Sequence, residues 1–352
     1  MHNISDEFDI FDLLRNMVDD VQEPSHEANT LIAKNNNPHA RSKVYLGNAI
    51  AVKKYNAEDL CLHDIYRIED EISLLKQLNH QGVMNLISTF VSGTKIAYVM
   101  PFMECGSCQN LMESKFTTGL PECWIALIVK NVLEALNFIH NNGIIHRAIK
   151  ARHILLNRDG SIKLTGFRYA FKKISNDDEE VDKNMTVHYF PYDSTPNLKW
   201  LSPEILRQDL LGYTEKSDVY SLGITICELA NGLPPFENLE PKKLLLDKLS
   251  GVVPLIFDCS THLEFIPSIK NLATPSEQLD VYTTRSITTS LHSLKNICCI
   301  SNYEDRPTVD DLMNNEFFIE SEKCVLIPDV LPLIEFKKIE DFDDEESIEW
   351  DF

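Results

Sequence analysis

The stretch HRAIKARHILLNRDGSIKLTGF, His146–Phe167, decides the fold. Two short apolar runs, HILLN and SIKLT, flank Arg158-Asp159-Gly160, so the segment reads as two strands joined by a turn. A polar loop holding His146, Arg147 and Lys150 precedes them. Upstream lies PECWIALIVKNVLEALNFIHNNG, with Pro121 at its start and Gly143 past its end, the usual punctuation of a helix. Ile125, Ile128, Val132, Leu136 and Ile139 make one apolar stripe along it. Downstream, SDVYSLGITICELANG is apolar nearly all round, which predicts a buried central helix capped by Ser217. Residues 303–319 return to helix, and the Ser/Thr-rich run 258–293 reads as an inserted loop.

The N-terminal third reads differently. TLIAK, KVYLG, NAIAVKKY, LISTF and KIAYVM have strand character, and NNNPHA marks a turn between the first two. Residues 59–79 read as a helix whose Ile68, Ile72 and Leu75 fall on one face. The expected layout is an acidic arm over 1–28, a sheet-rich lobe over 29–103, a helical lobe over 104–320 and an acidic tail over 321–352.

The 352 residues carry a net charge of -21, with 43% hydrophobic and 25% charged residues. A chain of this length supports a sizeable core. The acidity argues against nucleic acid or an anionic membrane as partner and suits a basic protein surface. No uninterrupted apolar run of transmembrane length stands out, and the acidic start MHNISDEFDIFD has no apolar signal core, so an intracellular chain is expected. The nine cysteines are scattered and mostly inside apolar runs, as buried thiols are. Cys105 and Cys108 form a C-x-x-C with no second pair, and Cys298–Cys299 are adjacent, so no metal site is expected.

The order of these elements resembles the protein-kinase fold: an α+β, bilobal architecture with a small β-rich N-lobe and a larger helical C-lobe. Ala51-Val52-Lys53 is similar to the V-A-I-K strand and Glu71 to its helix partner. A hinge at Pro101–Cys105 precedes Gly106-Ser107. His146-Arg147 and Lys150 match the catalytic loop, and Ser202-Pro203-Glu204 resembles A-P-E. Asp218 opens the buried helix, and Arg306 in EDRPT stands where kinases pair an arginine with the A-P-E glutamate.

The chemistry of that family is missing. Ala148 stands at the catalytic base, His153 at the metal-binding asparagine and Gly166 at the metal-binding aspartate. Phosphoryl transfer rests on positioning and on metal-borne charge neutralisation. An alanine neither orients a hydroxyl nor accepts its proton, and a lost general base costs on the order of 10²- to 10⁴-fold. Glycine offers no oxygen ligand, and imidazole suits a hard octahedral Mg²⁺ poorly. The glycine-rich phosphate loop is absent from NNNPHARSK. Retained Lys53 and Glu71 imply an ion pair that marks an active-like shape. ATP without Mg²⁺ is the one cofactor the resemblance leaves open, at Lys53, Glu71, Met100, Met103 and Arg168. No metal is implied.

One group of pseudokinases is closer than the rest. HRAIKARHILL, GFR and LKWLSPEILRQDLLGYTEKSDVYSLGITICELANGLPPFENL resemble the STRAD family of Ste-twenty-related kinase adaptors. The terminal Trp350-Asp351-Phe352 is similar to that family's C-terminal Trp-Glu-Phe. The resemblance implies a catalytically inactive adaptor with no nucleic acid or membrane partner. It implies binding to a Mo-twenty-five-type armadillo-like scaffold through W-D-F and to a liver kinase B-one-type Ser/Thr kinase through the activation segment and C-lobe. That kinase would be activated allosterically, in the cytoplasm and also the nucleus. Trp350 and Phe352 offer large anchor areas, and the acids before them steer toward a basic surface. Tyr189, Phe190 and Trp200 are candidate exposed anchors for the partner kinase, with Trp200 equally readable as core. Two alternatives stay open: a weak unconventional kinase using Lys53, Asp159 and Arg168, and an ATP-sensing module.

Overall fold

The computed structural model describes residues 30–35, 42–46, 50–92, 94–173, 185–191, 193–237, 239–264 and 276–318. The acidic arm, most of NNNPHARSK, and the tail with Trp350, Asp351 and Phe352 lie outside the described residues. The chain divides into two compact units, one reaching to His80 and including Met84–Phe102, the other holding Gln81–Val83 and running on from Met103.

The first unit is an antiparallel sheet of β1 (Thr30–Asn35), β2 (Ser42–Leu46), β3 (Ile50–Asn56), β4 (Ser88–Ser92) and β5 (Lys95–Pro101) in the order β1-β2-β3-β5-β4. The period of two sorts its side chains by face. Val52, Phe90, Ala97 and Val99 cluster together, while Tyr55, Ile96 and Tyr98 meet Ile65, Ile68 and Ile72 of the helix Leu62–Gln77. Burying each such isoleucine contributes about 1.5–3 kcal/mol. The helix starts later than the sequence pattern suggests, because Ala57–Asp59 forms a separate 3-10 turn.

The second unit is built on two helices. Glu122–Asn141 buries the expected stripe of Ile125, Ile128, Val132, Leu136 and Ile139. It is long and apolar enough on average to cross a membrane, against the sequence reading, yet its inner stripe is core. Lys216–Asn231 is buried along nearly its whole length. Its close neighbours explain the paired cysteines: a Cβ on Gly223 would stand 2.6 Å from Cys299 Sγ and 2.8 Å from Cys298 Cβ. Burial pushes the Cys299 thiol up to about 11, which keeps it un-ionised.

Three expectations fail here. Ser217 is not the cap, since the helix begins at Lys216, whose amide donates to Thr214 Oγ1 at 3.3 Å. The run 258–293 is not all loop, because Ser276–Thr284 is helical and Thr289–Cys298 begins within it. Tyr282, Leu291 and Leu294 are fully buried, and that packing overrides the weak helix propensity of a Ser/Thr-rich stretch. Residues 303–319 contain only the short helix Val309–Met313 and a 3-10 turn at Glu316–Phe318.

Candidate functional site: a wired loop with altered reactive positions

The hairpin in His146–Phe167 forms as the sequence suggests. Ile154–Leu156 pairs antiparallel with Ile162–Leu164, so residues 153 and 165–166 lie at its open end. The Asp159 turn closes the opposite end, and Asp159 Oδ1 accepts the Ser161 amide at 2.8 Å. Three strand residues, at about 3.3 Å each, separate the two ends. That separation counts against Asp159 as a substitute for the carboxylate missing at 166.

Asp218 organises the loop. Its Oδ2 and Oδ1 accept the amides of His146 and Arg147, each at 2.7 Å, and His140 Nε2 lies 2.9 Å from Oδ2. Burial would raise the Asp218 pKa, but hydrogen bonds from His140 and the His146 amide hold it below the usual carboxylate value. A buried charge needs such partners. The sequence reading placed Asp218 at the head of the helix and missed its role; an acid inside an apolar helix was the available signal.

His146 is fully buried, its Nε2 3.0 Å from the Thr165 carbonyl and its Nδ1 accepting the Ala148 amide at 3.3 Å. Those bonds select the neutral Nε2-protonated ring. Burial depresses its pKa to about 4. Phe167 meets the ring edge-on at 4.7 Å between centroids.

Arg147 adopts φ of 60°, rare for a non-glycine residue. Its guanidinium donates to the carbonyls of Tyr169 (2.5 Å), Tyr189 (3.1 Å) and Ala170 (3.4 Å), and to the Tyr213 hydroxyl (3.0 Å). It also sits over the rings of Phe171 and Tyr189, which stack on each other. One side chain therefore ties the chain after Gly166 to the segment around Tyr189.

Glu228 supports the loop from below. Its Oε2 accepts the Ala151 amide at 3.0 Å and Trp200 Nε1 at 2.9 Å. Burial raises its pKa to about 7. Lys150 Nζ lies 5.5 Å from the centre of the Trp200 ring. Trp200 packs against Tyr220, Ile224 and Cys299, and Phe190 against the cluster of Val187, Leu201, Ile205 and Tyr213. Phe190 is corrected from a free anchor to a packed residue, and of the two readings of Trp200 the packed one holds; Tyr189 alone of the three is exposed, at 53%. The motif order also places Arg306 opposite Glu204, and the two form a buried bidentate pair at 2.7 and 3.1 Å.

The positions at which the kinase resemblance expects catalytic groups are occupied by Ala148, His153 and Gly166. Ala148 is buried, and its carbonyl receives His153 Nδ1 at 2.6 Å. Gly166 sits in the left-handed region at φ of 88°. Arg168 and Met103 are buried in this unit. In the first unit Lys53, Glu71 and Met100 are buried. Lys53 pairs in register with Tyr98, its Nζ lies 4.9 Å from the Tyr55 ring centre and 5.5 Å from that of Tyr98, and the Tyr98 hydroxyl donates to Glu71 Oε2 at 3.0 Å. Among the described residues, no group of three or more His, Cys, Asp or Glu is placed to hold a metal ion.

Comparison with known proteins agrees with this geometry. The protein kinase domain model matches residues 41–318. The human STE20-related kinase adapter protein alpha is 34% identical over 309 residues, covering 81% of this chain and 70% of the relative. The rat protein of that name is 34% identical over 306 residues, covering 81% and 77%. The human STE20-related kinase adapter protein beta is 30% identical over 342 residues, covering 87% and 80%. With a kinase-domain match across most of its length and relatives of this similarity, the chain belongs to the STE20-related kinase adapter family of the protein kinase fold.

Proposed function

We propose that this chain is a catalytically inactive pseudokinase that works as an adaptor, activating a partner Ser/Thr kinase of the liver kinase B-one type allosterically in a complex with a Mo-twenty-five-type scaffold. One observation carries the reading. The loop that would hold a catalytic base is fully wired through Asp218, His146 and Arg147, yet the base position is the methyl group of Ala148. The framework is kept where the reagent is gone, which is what a protein used for its shape requires. Such a protein acts by preferring one state of its partner, and it shifts that equilibrium only by its differential affinity for the two states.

The scaffold contact is assigned to Trp350, Asp351 and Phe352, and the partner-kinase contact to the activation segment and the helical lobe. The test is a binding titration of the purified chain, with and without residues 350–352, against the scaffold, with partner-kinase activity assayed in the same tubes. Deletion of the three residues is expected to weaken scaffold binding at least about tenfold, as loss of an aromatic hot spot does. Unchanged affinity together with no activation of the partner kinase would remove the reading.

A second reading, nucleotide binding without metal or turnover, is compatible with the first. It is favoured by the burial of Lys53 at 2% exposure beside Tyr55 and Tyr98, an arrangement that an ordinary surface lysine has no need of. A rise in thermal midpoint with ATP plus a chelator, absent in Lys53→Ala, is the expected outcome.

A further inference from the structure

Kinase folds hold Mg²⁺ with oxygen ligands at the two positions occupied here by His153 and Gly166. The residues present do not fit that ion, and the misfit has a geometric cause beyond ligand chemistry. A Cβ built on Gly166 would stand 2.4 Å from His153 Nδ1, 2.6 Å from Cγ and 2.7 Å from Cε1. Contacts below 3.0 Å are not tolerated by real Cβ atoms, so something must shift. His153 is ill placed to do so. It is buried at 2% exposure, and its Nδ1 is pinned to the Ala148 carbonyl at 2.6 Å.

The backbone at 166, at φ of 88°, already strains any residue with a Cβ, aspartate less than most. The imidazole adds a steric clash to that strain. That Nδ1 bond also fixes this ring nitrogen as a donor toward a carbonyl, so a lone pair remains on Nε2 alone.

We propose that His153 and Gly166 form one steric lock, in which His153, held by the main-chain carbonyl of residue 148, occupies the volume of any side chain at 166 and so closes the position to a metal-binding carboxylate. The departures at 153 and 166 are then mutually dependent. Restoring the aspartate alone does not restore a site, because the histidine already fills its place. The lock is independent of the adaptor role: it concerns folding and metal access, and it stands or falls whether or not a partner kinase is activated.

A double-mutant cycle on the full chain tests it. Gly166→Ala and Gly166→Asp are each made with His153 present and with His153→Ala, and thermal midpoints are recorded. With His153 in place, Gly166→Ala is expected to lower the midpoint by at least about 4 °C; with His153→Ala, the same change is expected to cost less than about 2 °C, the residue of backbone strain. Equal losses in both backgrounds would overturn the lock. The alanine pair keeps the test decisive if Gly166→Asp fails to fold. Where Gly166→Asp does fold with His153 present, no Mn²⁺-dependent rise in midpoint is expected with or without ATP. A Mn²⁺-dependent rise in that single variant would also overturn the proposal.

Discussion

Two histidines seven residues apart on one loop behave differently. His146 belongs to the framework: it bridges the Thr165 carbonyl and the Ala148 amide, and its own amide is held by Asp218. His153 stands where the resemblance to kinases expects a metal-binding asparagine, and it too is buried and bonded, to the Ala148 carbonyl. Both rings face the same short stretch of main chain, their centroids 6.3 Å apart. The difference is that one imidazole holds the loop in place while the other fills the space beside Gly166.

The largest way to break that contrast is at its hub. Asp218→Ala removes a fully buried acceptor of three donors and leaves two loop amides unsatisfied. A loss on the order of 3–5 kcal/mol is expected in denaturant unfolding, and a loss below about 1 kcal/mol would show the loop is held elsewhere.

A second prediction sharpens the framework half by pH. His146 titrates near 6.5 when unfolded and near 4 when folded, because burial disfavours its charged form. The unfolded chain therefore binds the extra proton first, and stability falls as pH drops from about 6.5 to 4. The contribution is on the order of 3 kcal/mol across that window and is absent above it. In His146→Phe the fall between pH 6.5 and 4 is expected to be shallower than in the parent; parallel curves would mean that the buried ring is protonated in the fold.

The smallest effect is expected in the other half. Ala148→Asp restores the lost carboxylate, yet with His153 and Gly166 unchanged phosphate transfer to a generic substrate stays at background. Activity that rises with Ala148→Asp and vanishes with Lys53→Ala would instead favour the unconventional-kinase alternative.

Much of this was legible in the chain because it rests on periodicity. The stripes of Leu62–Gln77 and Glu122–Asn141 and the hairpin follow from spacing, while the Arg306–Glu204 pairing was implied by the resemblance to kinases. What stayed hidden depends on partners remote in sequence. An acid in an apolar helix signals that Asp218 has a buried role, but its partners, the amides of residues 146 and 147, are remote in sequence. Glu228 and Trp200 meet across 28 residues, which is why the sequence leaves Trp200 open between anchor and core. The helix Ser276–Thr284 is disguised by its polar composition and declared by Tyr282, whose hydroxyl donates to the Asn231 carbonyl at 2.5 Å. The clash between residues 153 and 166 is equally invisible to spacing, since it exists only once the hairpin has folded back on itself.

The Arg147 clamp has a consequence for how such a surface can change over time. Three of its acceptors are main-chain carbonyls, at Tyr169, Ala170 and Tyr189. Every amino acid supplies the same carbonyl. The grip is thus indifferent to the letter written at Ala170, and largely so at exposed Tyr189, so those side chains are at liberty to drift while the trace of the segment stays put. A protein whose output is a contour is thereby able to rewrite its outward chemistry one residue at a time and meet a changing partner without first having to refold.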